Sequence, residues 1–259
     1  MDFTIISHVK KNEFTPTDEW AVQSNEEHNQ GVANWAGLFA GEFDCADWGK
    51  VIGLLHDKGK EKKDFQNYIR KISGYDPNAP NWKDKTHAYV GALLAQKYYG
   101  CLSVFLSNPI MGHHAGLYDY GDFETQMKLP LPLEINSEWQ NINLAVPSHL
   151  SSLNAFDFHH FVRLLYSCLV DADFLDTERF MNEGNAALRG QKDDLQQLSV
   201  KLESYLTALA IKSIDSPVNR IRNIIQKKCL EKSKETPGFY SLTVPTGGGK
   251  TISSLVWAI

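Results

Sequence analysis

The dipeptide His56-Asp57, continued by Lys58-Gly59-Lys60, brings an imidazole, a carboxylate and an ammonium group together within a few residues. Successive residues on a helix point about 100° apart. A His-Asp pair at a helix end can therefore face two neighbouring cations, with one carboxylate oxygen for each. Such a dipeptide arises by chance in many chains, and here its surroundings give it weight. His28 lies on the apolar stripe of an upstream helix, His87 opens a later one, and His113-His114 stand between Gly112 and Gly116. Asp173 continues the stripe Phe161, Leu165, Leu169 by a further step of four. A single histidine is ordinarily a hydrogen-bonded core or surface residue, but an ionised aspartate on a core-facing stripe is costly to bury unless it is paired or bound to metal. Asp171, about 200° around the same helix, is expected to face solvent. Five imidazoles favour Mn, Fe, Co, Ni or Zn over Mg, which prefers oxygen ligands and keeps its waters.

The elements that must position these residues read as helices, because the first 215 residues show helical periodicity and almost no alternating strand pattern. The spacing predicts helices over about 26–41, from an Asp47 cap through Leu55 to near Gly59, and around Phe65 to Ile72. A turn-rich loop over 73–85 precedes a helix over 87–99 capped by Thr86, and Asn108-Pro109 opens another short one. Residues 115–152, with Pro130, Pro132 and Pro147, read as a long surface excursion. A core helix over 154–180 and an amphipathic helix carrying Leu195, Leu198, Leu202, Leu206 and Leu209 close an all-α domain spanning 1–215.

At Ser216-Pro217 the texture changes. A basic helix (Val218, Ile221, Ile225) leads through Pro237-Gly238 to Phe239–Val244, the one convincing buried strand, and then to Pro245-Thr246-Gly247-Gly248-Gly249-Lys250-Thr251. Strand, glycine-rich turn and Lys-Thr are the context of a Walker A loop. In such a loop the amides of Gly247, Gly248 and Gly249 cradle ATP phosphates, Lys250 reaches the β and γ oxygens, and Thr251 ligates Mg²⁺. Val244 stands where Gly or Ala is usual. Only Ile252 to Ile259 follow, with no Walker B acid, so 216–259 is expected to be a linker helix and the start of an α/β nucleotide-binding domain that continues in a longer natural chain.

Composition narrows the class. With 259 residues, 42% apolar and 22% charged, the chain has enough material for a packed core, which excludes disorder. The longest apolar stretch, Ala88 to Ser107, is broken by Gln96 and Lys97, so no membrane span is expected. Met1-Asp2-Phe3 lacks the basic start of a secretory signal. Four cysteines without a C-x-x-C pair read as small buried hydrophobes in a reducing cytoplasm. Net charge is −5, which argues against nucleic-acid binding by a global positive field. Residues 201–235 hold eight Lys or Arg against four Asp or Glu, +4, leaving −9 elsewhere. An acidic body can receive phosphate only where something reverses the local sign, as bound divalent cations do.

The order His28, His56-Asp57, His87, His113-His114, Asp173, with Asp57-Lys58-Gly59-Lys60 and Leu169-Val170-Asp171-Ala172-Asp173, resembles the HD phosphohydrolase superfamily. The paired His113-His114 and the downstream Walker A loop are similar to the HD nuclease domain of the type I CRISPR-associated nuclease-helicase, followed by motif I of a superfamily 2 helicase. The resemblance covers nearly the whole chain. It implies an all-helical HD-type fold, the start of a helicase domain, and a two-metal centre that cuts single-stranded DNA for an RNA-guided surveillance complex, in a cytoplasmic and monomeric protein. One ion would be held by His28, His56, Asp57 and Asp173, the other by Asp57, His87, His113 and His114. Asp57 and Lys60 would be catalytic, Lys60 by stabilising charge on the reacting phosphate, although a solvated lysine in the run Lys58 to Lys63 is an equal alternative. A nucleotide phosphohydrolase or phosphodiesterase of the same superfamily is the competing expectation.

Overall fold

Ser24 opens the first helix, α1 (Asn25–Gly41), by accepting a hydrogen bond from the Glu27 amide, and Glu26 and Glu27 oppose the positive end of its dipole. The helix buries Val32, Ala33, Ala36 and Ala40 against α2 (Ala46–Leu55). A Cβ on Gly53 would sit 2.5 Å from the Ala33 Cα, so this close crossing requires glycine. The structure, a computed structural model, describes residues 4–11, 20–135, 138, 142–147, 154–189, 193–236 and 238–259. Met1-Asp2-Phe3 and Pro237, named above, lie outside the described residues, as does much of 136–153.

The chain is mostly helical and divides into two compact units, Met1–Leu188 and Arg189–Ile259. In the first, α1 and α2 are followed by a short 3-10 turn (Lys58–Glu61), α3 (Lys63–Ile72), α4 (Ala88–Tyr99), α5 (Ser103–Gly112), α6 (Tyr120–Met127), α7 (Ala155–Met181) and α8 (Glu183–Leu188). The core joins Val32, Trp48, Ile52 and Leu55 to Leu94, Ile110, Phe161, Leu165 and Leu169. Asn154 caps α7 by accepting from the Phe156 and Asp157 amides. Among the described residues no helix is long and apolar enough to cross a membrane.

Several local expectations need correction. A hairpin of β1 (Ile6–Lys11) and β2 (Trp20–Ser24) precedes α1, where no strand was expected. Its register is irregular between Ile6 and His8, and both Ile6 and Ser7 are buried, so the bulge breaks the alternation that marks a strand. Asp47 does not cap α2 but pairs with Lys50 at 2.9 Å. Thr86 gives its hydroxyl to the Asp84 carboxylate, a stronger acceptor, and His87 holds the N-cap position of α4. Pro109 sits inside α5 rather than at its start, while the Asn108 amide bridges both backbone groups of Tyr118. The segment after residue 115 is no mere excursion: it contains α6, Ile135 and Leu144 are buried in the core, and Trp48 donates to the Ala145 carbonyl. Cys45, Cys168 and Cys229 are buried, whereas Cys101 is exposed.

The second unit contains α9 (Leu195–Lys212), α10 (Pro217–Lys232) and α11 (Lys250–Ala258). Asp194 and Gln197 form a capping box on α9, and Ser216 caps α10, with Pro217 in its first turn. The leucine stripe of α9 has no buried residue, and α9 belongs to the compact unit Arg189–Ile259. Phe239–Val244 forms no strand and is largely exposed, because a strand's backbone groups need a neighbouring strand and the described residues of this unit supply none.

Candidate metal centre

The last turn of α2 ends at His56, whose Nδ1 lies 2.7 Å from the Gly53 carbonyl. A carbonyl only accepts, so this nitrogen carries a proton, and Nε2 is left to meet another partner. His113, at the end of α5, repeats the device, with Nδ1 2.6 Å from the Ile110 carbonyl. His28 projects from α1 with Nδ1 donating to the Asp176 carboxylate at 2.8 Å. Each of these three rings therefore has one nitrogen fixed by its own surroundings and the other free. The free Nε2 atoms of His28, His56 and His113 are buried without a hydrogen-bond partner, as is Asp57 Oδ1. Orphaned buried groups of this kind are rare unless something else satisfies them.

They converge on Asp57. Its Oδ2 lies 3.4 Å from His28 Nε2 and 3.3 Å from His56 Nε2. Its Oδ1 lies 3.3 Å from His87 Nε2 and 3.5 Å from His113 Nε2. Asp173 joins the first side at 3.2 Å from His28 Nε2, and His114 joins the second with Nε2 3.0 Å from His87 Nε2. The result is two groups, His28–His56–Asp173 and Asp57–His87–His113–His114, in each of which the ligand atoms lie within 4.8 Å of one another. All seven residues expected to bind metal are brought together, and the donor set is suited to divalent cations. Asp171 is exposed, as its position on the helix requires.

Charge separates the two groups. Burial pulls the His28 imidazole down, yet the Asp173, Asp176 and Asp57 carboxylates outweigh it and hold it up at about 10. Burial likewise opposes the charge of Asp57 at His56, where the carboxylates win and hold the ring at about 9. Protons here balance the carboxylates as a cation would. On the other side, burial lowers His113, and burial with the neighbouring His113 and His87 lowers His114 to about 4. Burial would raise the Asp57 carboxyl, but the Lys60 ammonium and the His56 ring keep it well below the usual range. Lys60 is itself buried, 2.6 Å from Asp57 Oδ2 and 3.0 Å from Ser7 Oγ.

Sequence reading missed two supporting residues. Asp176 is fully buried and also accepts from Gln23 Nε2 and Arg179 Nη2, both at 2.7 Å. The apolar face of α7 has two rows, and Asp176 continues the second, Cys168 and Ala172, by one step of four. His8 packs edge-on against His28 with centroids 4.6 Å apart and reaches Gln23 Oε1 at 2.8 Å. Only the pairing of β1 with β2 brings His8 there.

In the second unit, Gly249 has φ +83° and forms the N-cap of α11, and Gly247 has the same φ. Arg222 donates from Nε and Nη2 to the Gly247 carbonyl at 2.9 and 2.6 Å. Gly247, Gly249, Lys250 and Thr251 line a cleft of about 750 Å³, and Gly248 stands between them against the Val244 side chain. No model of a known protein family matches the chain, and no curated protein does.

Proposed function

We propose that the first unit is a metal-dependent nuclease of the HD type, which hydrolyses single-stranded DNA at a two-metal centre in type I CRISPR defence. The observation that carries this reading is Asp57, whose two oxygens face two separate groups of histidines, with Nε2 of His28, His56 and His113 buried without a hydrogen-bond partner. Divalent cations, when bound, supply Lewis-acid polarisation of a phosphodiester and a lowered pKa of water, from about 15.7 towards 7. The protein's part is to aim the rings. Gly53 and Ile110 carbonyls and the Asp176 carboxylate fix Nδ1–H, so that Nε2 of His56, His113 and His28 points inward without reorganising. Lys60 offsets the charge of Asp57, and in this reading its ammonium stabilises charge on the reacting phosphate. Single-stranded DNA and an RNA-guided surveillance complex are the partners this reading implies, in the cytoplasm. Residues 216–259 are read as the beginning of a helicase motor. The left-handed Gly247 and Gly249 ahead of α11 support phosphate binding there by Gly247, Gly248, Gly249, Lys250 and Thr251, with ATP and Mg²⁺ the ligands of this reading.

The test is incubation of the purified chain with circular single-stranded DNA and Mn, Co, Ni or Fe(II). Cleavage is expected, poor with Mg and absent on duplex. Asp173→Ala should abolish it and Asp171→Ala should retain it, while Lys250→Ala and added ATP should be silent. Strict Mg dependence, equal cutting of duplex, or an active Asp173→Ala protein with an inactive Asp171→Ala protein would count against the reading.

A further inference from the structure

Residues 58–87, the segment between the His56-Asp57 pair and His87, hold eight Lys or Arg against four Asp or Glu, a net of +4 in a chain of −5. Part of this charge is turned inward, with Lys58 on Glu61, Lys60 on Asp57 and Lys62 on Asp84. The rest is on the surface. After α3 the chain folds back along that helix, held by the Asp64 carboxylate, which accepts from the Lys83 and Asp84 amides, and by Lys71 donating to Asn81 at 2.7 Å. This return path leaves Lys63, Lys83 and Lys85 exposed, their ammonium groups without a carboxylate partner among the described residues.

Aromatic rings run through the same segment and start at the metal centre. The His87 ring lies 4.9 Å from Phe65, Phe65 lies 5.9 Å from Tyr68, and Tyr68 lies 5.1 Å from Trp82. Lys85 Nζ stands 5.0 Å over the Tyr68 ring. Phe65 is buried, whereas Tyr68 and Trp82 are partly exposed. Interleaved cationic and aromatic side chains are the chemistry that holds unpaired nucleotides, since lysines follow the phosphates and rings stack on bases that no second strand covers.

We propose that Tyr68, Trp82, Lys83 and Lys85 form a shelf that binds single-stranded nucleic acid and leads it to His87. The proposal rests on the nuclease reading and assigns the strand's path. Single strands fit because base stacking needs open faces. A row of rings extending outward from His87 serves successive nucleotides, where a mononucleotide would use one.

The experiment keeps the full chain free of metal with a chelator, so that the strand is bound and not cut. Affinity for a fluorescein-labelled oligothymidine of about 12 nucleotides, within the range of single-strand site sizes, is read by anisotropy. Trp82→Ala should weaken binding about tenfold and Trp82→Phe much less. Lys83→Glu with Lys85→Glu should weaken it at least as far, and the salt dependence should flatten by about 0.7 per lost phosphate contact. With Mn restored, hydrolysis of bis(4-nitrophenyl) phosphate, too small to reach the shelf, should be unchanged in every variant. Unchanged oligothymidine affinity in both the tryptophan and the lysine variants overturns the shelf. So does a parallel fall in small-diester hydrolysis and metal content, which would make the segment a mere support for His87. A wild-type protein that cleaves neither DNA nor the small diester with any metal overturns the nuclease reading instead.

Discussion

Asp57 belongs to one group of candidate ligands and also faces the other, and its two oxygens are not equivalent. Oδ2 meets Lys60, His28 and His56, whereas Oδ1 meets only His87 and His113. Removing this carboxylate should therefore cost both sites, and removing one imidazole should weaken one. Elemental analysis is expected to find two ions per chain in the wild type, none in Asp57→Ala and about one in His87→Ala. Two ions retained in Asp57→Ala would refute the bridge. Asp176 tests the support behind the ligands. Asp176→Asn keeps the volume but removes the anion that orients His28, so metal affinity at the His28 side should fall about 10–100-fold while the His87 side is spared. Competition titration with a chromogenic chelator reads the two affinities separately, and equal affinities in mutant and wild type would remove Asp176 from the design.

At the scale of elements, the centre lies where α1, the end of α2, the start of α4, the end of α5 and the last third of α7 meet, each delivering one or two ligands. Helix ends suit this purpose, because their unsatisfied carbonyls accept from Nδ1 and so fix the ring. The 3-10 turn after Asp57 must pass directly beneath the start of α4. A Cβ on Gly59 would fall 2.1 Å from the His87 carbonyl oxygen and 2.7 Å from its Cα, contacts with backbone that cannot swing away. Gly59→Ala is therefore expected to push His87 off Asp57. It should cost about 1–3 kcal/mol of stability, read in urea, and lower metal occupancy on the His87 side. A mutant of wild-type stability carrying both metals would mean that the turn relaxes freely.

For the whole molecule, the carboxylates around His28 and His56 link folding to pH when metal is removed. Both imidazoles have folded values, about 10 and about 9, above the ordinary 6.5. The folded state then binds more protons than the unfolded one above pH 6.5. This stabilisation is fully present below that pH and is lost as pH rises through about 9 and then 10. Chelator-treated protein should accordingly show a urea midpoint that declines from pH 7 to 10. Metal-loaded protein, in which those protons are displaced, should lack that decline. Equal pH profiles with and without chelator would contradict this account.

What the residues alone determined is most of the helices and the polar residues that cluster between them. Asp173 stands out because a carboxylate on an apolar stripe is an expensive choice without a partner, the other six clustered residues follow from the resemblance, and α1, α4, α7 and α9 announce themselves by spacing of three and four. Local pattern could not reach features that depend on distant neighbours. The hairpin of β1 and β2 exists by pairing across a bulge, so neither strand carries a full alternation of its own. Asp176 and His8 are polar residues whose roles arise only when α7 and β1 close on His28. Lys60 reads equally as solvated or functional until Ser7 and Asp57 bury it. Conversely, Phe239–Val244 has a strand's composition without a neighbouring strand among the described residues of its unit. Periodicity is a property of one segment, whereas pairing, burial and the direction of a ring nitrogen belong to two or more, and those the tertiary structure decided.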